Sequence, residues 1–104
     1  MRTIVIPGSR PLGAPPDWDQ ELDGNCGVLY VVDHIDVQSG ANFMYSFYKP
    51  TEEDIEAFKR GGVLRLGIMG RGHPVINMSV MGPEITAQLD YSDGFDMGPV
   101  ITPA

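Results

Sequence analysis

Apolar and polar positions alternate in several stretches of this chain, and each stretch predicts a strand. Residues 2–6, RTIVI, form the first, and Pro7-Gly8 breaks it. Residues 27–37, GVLYVVDHIDV, form the second. One face carries Val28, Tyr30, Val32 and His34, and the other carries Leu29, Val31, Asp33, Ile35 and Val37. Both faces are apolar in the first half, which predicts a central strand covered on both sides. QSGAN at 38–42 is a turn signal, and residues 42–48 return as a strand with Phe43, Tyr45 and Phe47 on one face. Residues 62–69 and 74–81 predict a hairpin closed by Arg71-Gly72-His73. In that register Leu64 faces Val80, Leu66 faces Met78 and Ile68 faces Ile76, while Arg65 meets Ser79 and Gly67 meets Asn77. A one-residue slip would set apolar against polar, so the pattern specifies the register.

One stretch has helical spacing instead. Thr51 can cap the free amides that follow Pro50, and Glu52, Glu53 and Asp54 suit the positive end of the helix dipole. Asp54 stands where a capping box places its acid. Ile55 and Phe58 make the buried stripe, Lys59 and Arg60 suit the far end, and Gly61-Gly62 stop the helix. The expectation is therefore an α+β fold: a single small domain with a mostly antiparallel sheet of about five strands and one short helix over about 51–60. The helix covers one face of the sheet. Residues 7–26 read as a Pro-rich arm, 27–81 as the core, and 82–104 as a loose C-terminal arm in which EITAQL adds an edge strand and YSDGFDMGP is turn-rich. Trp18 either pins the first arm to the core or offers a stacking wall to an aromatic ligand.

Composition narrows the function. A chain of 104 residues buries a modest core, and chains this short often gain stability from a partner subunit, so a homo-oligomer is expected. The formal net charge is −7, with the seven basic residues distributed along the chain, which argues against duplex nucleic acid as a partner. Cys26 is the one cysteine, so no intrachain disulfide forms, and a reducing cytoplasm fits. No stretch has the length of a membrane span, and the apolar run at residues 3–6 is too short for a signal-peptide core.

No nucleophile motif surrounds Cys26, and a cysteine at a strand start is usually a small buried filler. In a strand Asp33 and His34 point to opposite faces and cannot chelate one ion, whereas His34 and Asp36 share a face. No metal or cofactor is expected. GIMGRGH has no Gly-Lys-Ser/Thr ending, so it is not a nucleotide-triphosphatase loop. A glycine turn can still present amides to an anion, and Arg71 suits a bidentate grip on phosphate. With His73, Arg65, Asn77 and Ser79 on the adjoining polar face, and Tyr48 or Trp18 to stack on a base, these residues make a candidate ligand site. The bland alternative is a solvated hairpin face. Tyr30, Phe43, Tyr45 and Phe47 are either core or an exposed interface patch.

The run Ser46-Phe47-Tyr48-Lys49-Pro50-Thr51-Glu52-Glu53, followed by Gly61-Gly62, Leu64, Leu66, Gly70, His73-Pro74 and Val80, resembles a group of short bacteriophage and prophage proteins. Their pattern is Ser-x-aromatic-x-Pro-Thr-x-x-Glu, then Gly-x-x-His-Pro before a final strand. Tyr48 stands where that group more often has Trp, Asp54 where it has Glu, and Val75 where it has a second proline. The resemblance covers residues 27–81. It implies a phage accessory protein in the cytoplasm of an infected bacterium. Two functional expectations follow. One is counter-defence by sequestering a small anionic, nucleotide-type ligand. The other is an acidic interaction module that inhibits a host protein. An enzyme is the third and least expected reading, because no nucleophile, base and oxyanion donor converge in the pattern.

Overall fold

In the computed structural model, which describes residues 1–72, 76 and 78–103, the chain builds two three-stranded antiparallel sheets. The elements run β1 (Arg2–Val5), β2 (Arg10–Leu12), α1 (Gln20–Asp23), β3 (Leu29–Ile35), β4 (Asn42–Tyr45), β5 (Tyr48–Lys49), α2 (Glu52–Lys59), α3 (Pro83–Thr86) and β6 (Ser92–Asp96). The first sheet has the order β5-β1-β6 and the second β2-β3-β4. The α+β class and its β-rich character are as expected. The architecture differs, since two small sheets stand where one larger sheet was expected.

The β3–β4 hairpin forms as its sequence predicts. Asp36 accepts from the Ser39 amide at 2.9 Å and from its hydroxyl at 2.6 Å, Gly40 takes φ +73, and the Asp36 amide donates to Ala41 O at 2.8 Å. His34 pairs with Phe43 and Val32 with Tyr45. That face therefore carries the stacked Phe43 and Tyr45 rings, 6.0 Å apart. The opposite face holds a polar clamp across all three strands. Arg10 on β2 reaches Asp33 on β3 through Nε at 2.7 Å, and Asn42 on β4 donates to the same carboxylate at 3.0 Å. These charge-assisted bonds lower the Asp33 pKa to about 2, with the Arg10 bond the largest cause and the Asn42 bond next. Asp36 is lowered as well, chiefly by the Ser39 hydroxyl, so its carboxylate serves the turn more than it serves His34.

The Pro-rich arm is more ordered than its composition implies. Residues 10–12 pair with β3, with Pro11 on an outer strand where its missing N–H breaks no ladder. Asp19 caps α1, and the Trp18 indole N–H donates to Gly24 O at 2.9 Å. Trp18 thus ties the arm to itself. Two further expectations fail in the C-terminal arm. EITAQL is no edge strand, because Pro83 opens a helical turn there. The turn-rich YSDGFDMGP instead supplies β6 to the first sheet. A bulge lets it do so: the Arg2–Asp96 register shifts before the Ile4–Asp93 pairing is reached, and Gly94 lies against Thr3.

The core sits where the central strands of the two sheets meet. Ile4 on β1 and Val31 on β3 are the buried apolar side chains among the described residues, with Thr3 beside them. The expected cover for both faces of β3 is therefore only partial. The helix keeps its predicted bounds but not its predicted seat. Ile55 is half-buried and Phe58 is exposed, so the stripe is not packed under a sheet.

The largest departure lies at the predicted hairpin. Residues 62–69 and 78–81 carry no strand, and Leu64, Leu66, Ile68, Ile76, Met78 and Val80 are all exposed. Its turn and the start of its second strand, His73, Pro74, Val75 and Asn77, lie outside the described residues. A lone two-stranded hairpin is marginal in water, and among the described residues no strand pairs with 62–69 or 78–81. Glycines at 61, 62, 67, 70 and 72 weaken it further.

Candidate functional site

The start of α2 is fixed by a complete capping box. The Thr51 hydroxyl accepts from the Asp54 amide at 3.1 Å, and the Asp54 carboxylate accepts from the Thr51 amide at 2.8 Å. The Met1 ammonium pairs with the same carboxylate, tying β1 to the helix. That ammonium bond is the main reason the Asp54 pKa is held down, followed by the Thr51 amide. The far end closes in a Schellman motif. The Gly61 amide donates to Phe58 O at 3.1 Å and the Gly62 amide to Ala57 O at 2.8 Å, with Gly61 at φ +94. A Cβ on Gly62 would lie 2.8 Å from Ala57 O, so only glycine lets the chain fold back this closely.

That reversal sends residues 63–67 back beside the helix. They form one wall of a groove of about 640 Å³. Phe58 and Ala57 form a second wall, and Met97–Ile101, leaving β6, form a third. Tyr48 and Met78 also line it, as does Asp54, whose charge is met by the Met1 ammonium. The lining is mainly apolar: Phe58, Val63, Leu64, Leu66, Met97 and Ile101. An acidic notch of Glu52, Glu53 and Asp96 adjoins the groove and shares Gly98 and Pro99 with it.

The described ligand-site residues expected from sequence do not share one site. Arg65 and Tyr48 both line the groove. The Tyr48 hydroxyl lies 2.8 Å from Ser46 Oγ, and Lys49 stacks its ammonium over Tyr91. Arg71 and Ser79 are exposed and line neither the groove nor the notch. Trp18 is committed to Gly24. His73 and Asn77 lie outside the described residues. Cys26 is half-buried, with Sγ 3.7 Å from Gly27 O. Among the described residues no cluster of His, Cys, Asp and Glu is placed to hold a metal, and no helix is long and apolar enough to cross a membrane.

The chain matches no protein-family model, no curated protein and no solved structure. Its own residues carry a signal that the sequence reading passed over. Basic residues are not evenly distributed. Residues 57–83 hold Lys59, Arg60, Arg65 and Arg71 and no Asp or Glu, while all fourteen acidic residues lie outside that segment. The same segment contributes the run of exposed apolar side chains. An apolar, basic stretch inside an acidic chain is what marks the groove, and a running charge sum would have found it.

Proposed function

We propose that this protein is a phage accessory protein that works by binding, and that its working surface is the groove between α2, residues 62–67 and residues 97–101. The observation that carries this reading is the chemistry of the wall. Large apolar side chains stand open to solvent in one contiguous region, with Val63 87% and Met97 54% exposed. Large exposed apolar patches of this kind mark interaction sites or ligand-binding grooves. The residues on which the phage resemblance rests support the same surface. Tyr48, Leu64 and Leu66 line the groove, Thr51 caps its helix, and Gly61-Gly62 make the reversal that forms its wall. An interaction module is favoured over a nucleotide sequestrant, because a phosphate site needs converging donors and, among the described residues, Arg65 is the one expected cation that lines the groove.

The nucleotide reading keeps one supporting feature, the presence of Arg65 and Tyr48 in one groove. A single comparison separates the two. The wild-type chain and its Leu64→Asp and Arg65→Ala variants are each used to capture partners and then analysed by native mass spectrometry with a panel of linear and cyclic nucleotides. The interaction reading expects polypeptide binding to be lost in Leu64→Asp. A nucleotide adduct that survives Leu64→Asp and disappears in Arg65→Ala would overturn it in favour of the anion site.

A further inference from the structure

We propose that a second copy of this chain covers the groove face, so that the working form is a two-fold symmetric dimer. This rests on reading the groove as a binding surface, and it names the first occupant of that surface. The argument begins with area. The single chain exposes 8570 Å². A folded monomer of this mass exposes roughly 5,700 Å². The difference is larger than the share one chain contributes to a typical obligate dimer interface, about 1,000–2,500 Å². The radius of gyration agrees: it is 15.5 Å, against about 13 Å for a compact chain of this length.

The position of the excess comes next. Val63, Leu64, Leu66, Met78, Met97 and Ile101 are all exposed, and all six line the one groove. Scattered apolar side chains need no explanation, but a contiguous set does.

Charge identifies the occupant. A two-fold interface places the same patch on both sides, so the patch must be complementary to itself. This one is. Its basic side carries Arg65, which lines the groove, and its acidic side carries Glu52 and Glu53 across the shared Gly98-Pro99 wall, beside an Asp96 that Arg2 already meets. Turning a second copy about a two-fold axis through the groove sets basic side against acidic side twice, while the apolar walls close on each other. A basic partner would meet Arg65, and an acidic partner would meet Glu52 and Glu53. A copy of the chain satisfies both.

Sedimentation equilibrium on the full chain, over a wide micromolar range, tests this directly. The expected mass is twice that of the chain, and Leu66→Asp should return it to the single-chain mass with the far-ultraviolet circular dichroism preserved. Because that variant can fail to fold, amide exchange on the wild type is followed at two concentrations. Exchange of residues 62–69 should slow as concentration rises. A wild-type chain that stays at single mass, or a dimer whose protection lies away from 62–69, overturns the proposal. Either result leaves the binding role of the groove to be judged by the Leu64→Asp capture experiment, so the two readings fail separately.

Discussion

Replacing Gly94 by alanine should destabilise the first sheet through one steric contact. A Cβ at this position would sit 2.1 Å from Thr3 Oγ1, 3.1 Å from the Thr3 carbonyl oxygen and 3.2 Å from Thr3 Cβ. Thr3 cannot move aside easily. It is 2% exposed, it lies on the central strand, and its branched side chain has few rotamers. Its hydroxyl also donates to Phe95 O at 3.3 Å, a bond that rotation would break. Overpacking of this kind costs about 1–3 kcal/mol. Alanine recovers part of that, about 0.5–1 kcal/mol, because it loses less backbone entropy than glycine in a strand. At the middle of both ranges the net loss is about 1.25 kcal/mol, which for a domain of this size lowers Tm by about 5–10 °C.

The assay is thermal unfolding followed by circular dichroism, with Gly13→Ala as control. A Cβ at Gly13 would meet nothing within 4 Å, so that variant should match the wild type or slightly exceed it. Thr3→Ala in the Gly94→Ala background removes the nearest atom and should show a favourable coupling in a double-mutant cycle. A Gly94→Ala protein as stable as wild type would refute the close packing of β6 on β1, and with it the placement of the groove wall that leaves β6.

Three further outcomes are expected. Asp54→Ala removes the reciprocal half of the capping box and should cost about 1 kcal/mol in urea unfolding, with the loss of helix signal beginning at α2. Asp33 should titrate near 2 in a carboxyl-detected NMR experiment, and Arg10→Ala should move its midpoint up toward the ordinary range. Its folded pKa lies below its unfolded one, so the Asp33 clamp favours the fold fully above the ordinary carboxylate range and loses that effect as pH falls toward 2. Gly27→Ala places a Cβ 2.7 Å from the Phe95 ring, and because the far end of a ring can swing, its measured destabilisation should be smaller than that of Gly94→Ala.

The elements legible in the sequence are those whose signals are local. The capping box, the glycine stop after Arg60 and the Asp36–Ala41 turn each depend on side chains within a few residues of the backbone they satisfy, and each forms as read. The failures share the opposite character. SDGFD has poor strand propensity, and it becomes β6 because β1 has a free edge and Gly94 permits the approach to Thr3. Arg10-Pro11-Leu12 is a strand only because β3 runs beside it. At the candidate site, Arg65 and Tyr48 were named from sequence and both reach the groove. Phe58 was read as core, and the 97–101 wall was read as a loose arm, because the position of each depends on a chain reversal whose partner surface is distant in sequence.

The unformed hairpin and the open groove have one physical cause. Residues 62–69 and 76–81 hold a strand-like alternation strong enough to specify a register. Such a pattern stabilises structure only when its apolar face is buried, and among the described residues, 62–69 and 78–81 pair with no strand. Both edges of β1 are taken by β5 and β6, and both edges of β3 by β2 and β4. Of the outer strands, β5 has two residues and β2 carries Pro11, and the outer edges of β4 and β6 pair with none of the segment's described residues. Those residues keep their pattern without a partner strand. Selection against aggregation works on such a segment by charge, and here it carries Arg65 and Arg71 with no acidic neighbour. Those cations discourage indiscriminate pairing and favour an acidic surface, and in the proposed dimer the notch of Glu52 and Glu53 would be that surface. The same residues that fail to specify a hairpin within one chain are thus suited to specify a contact between two.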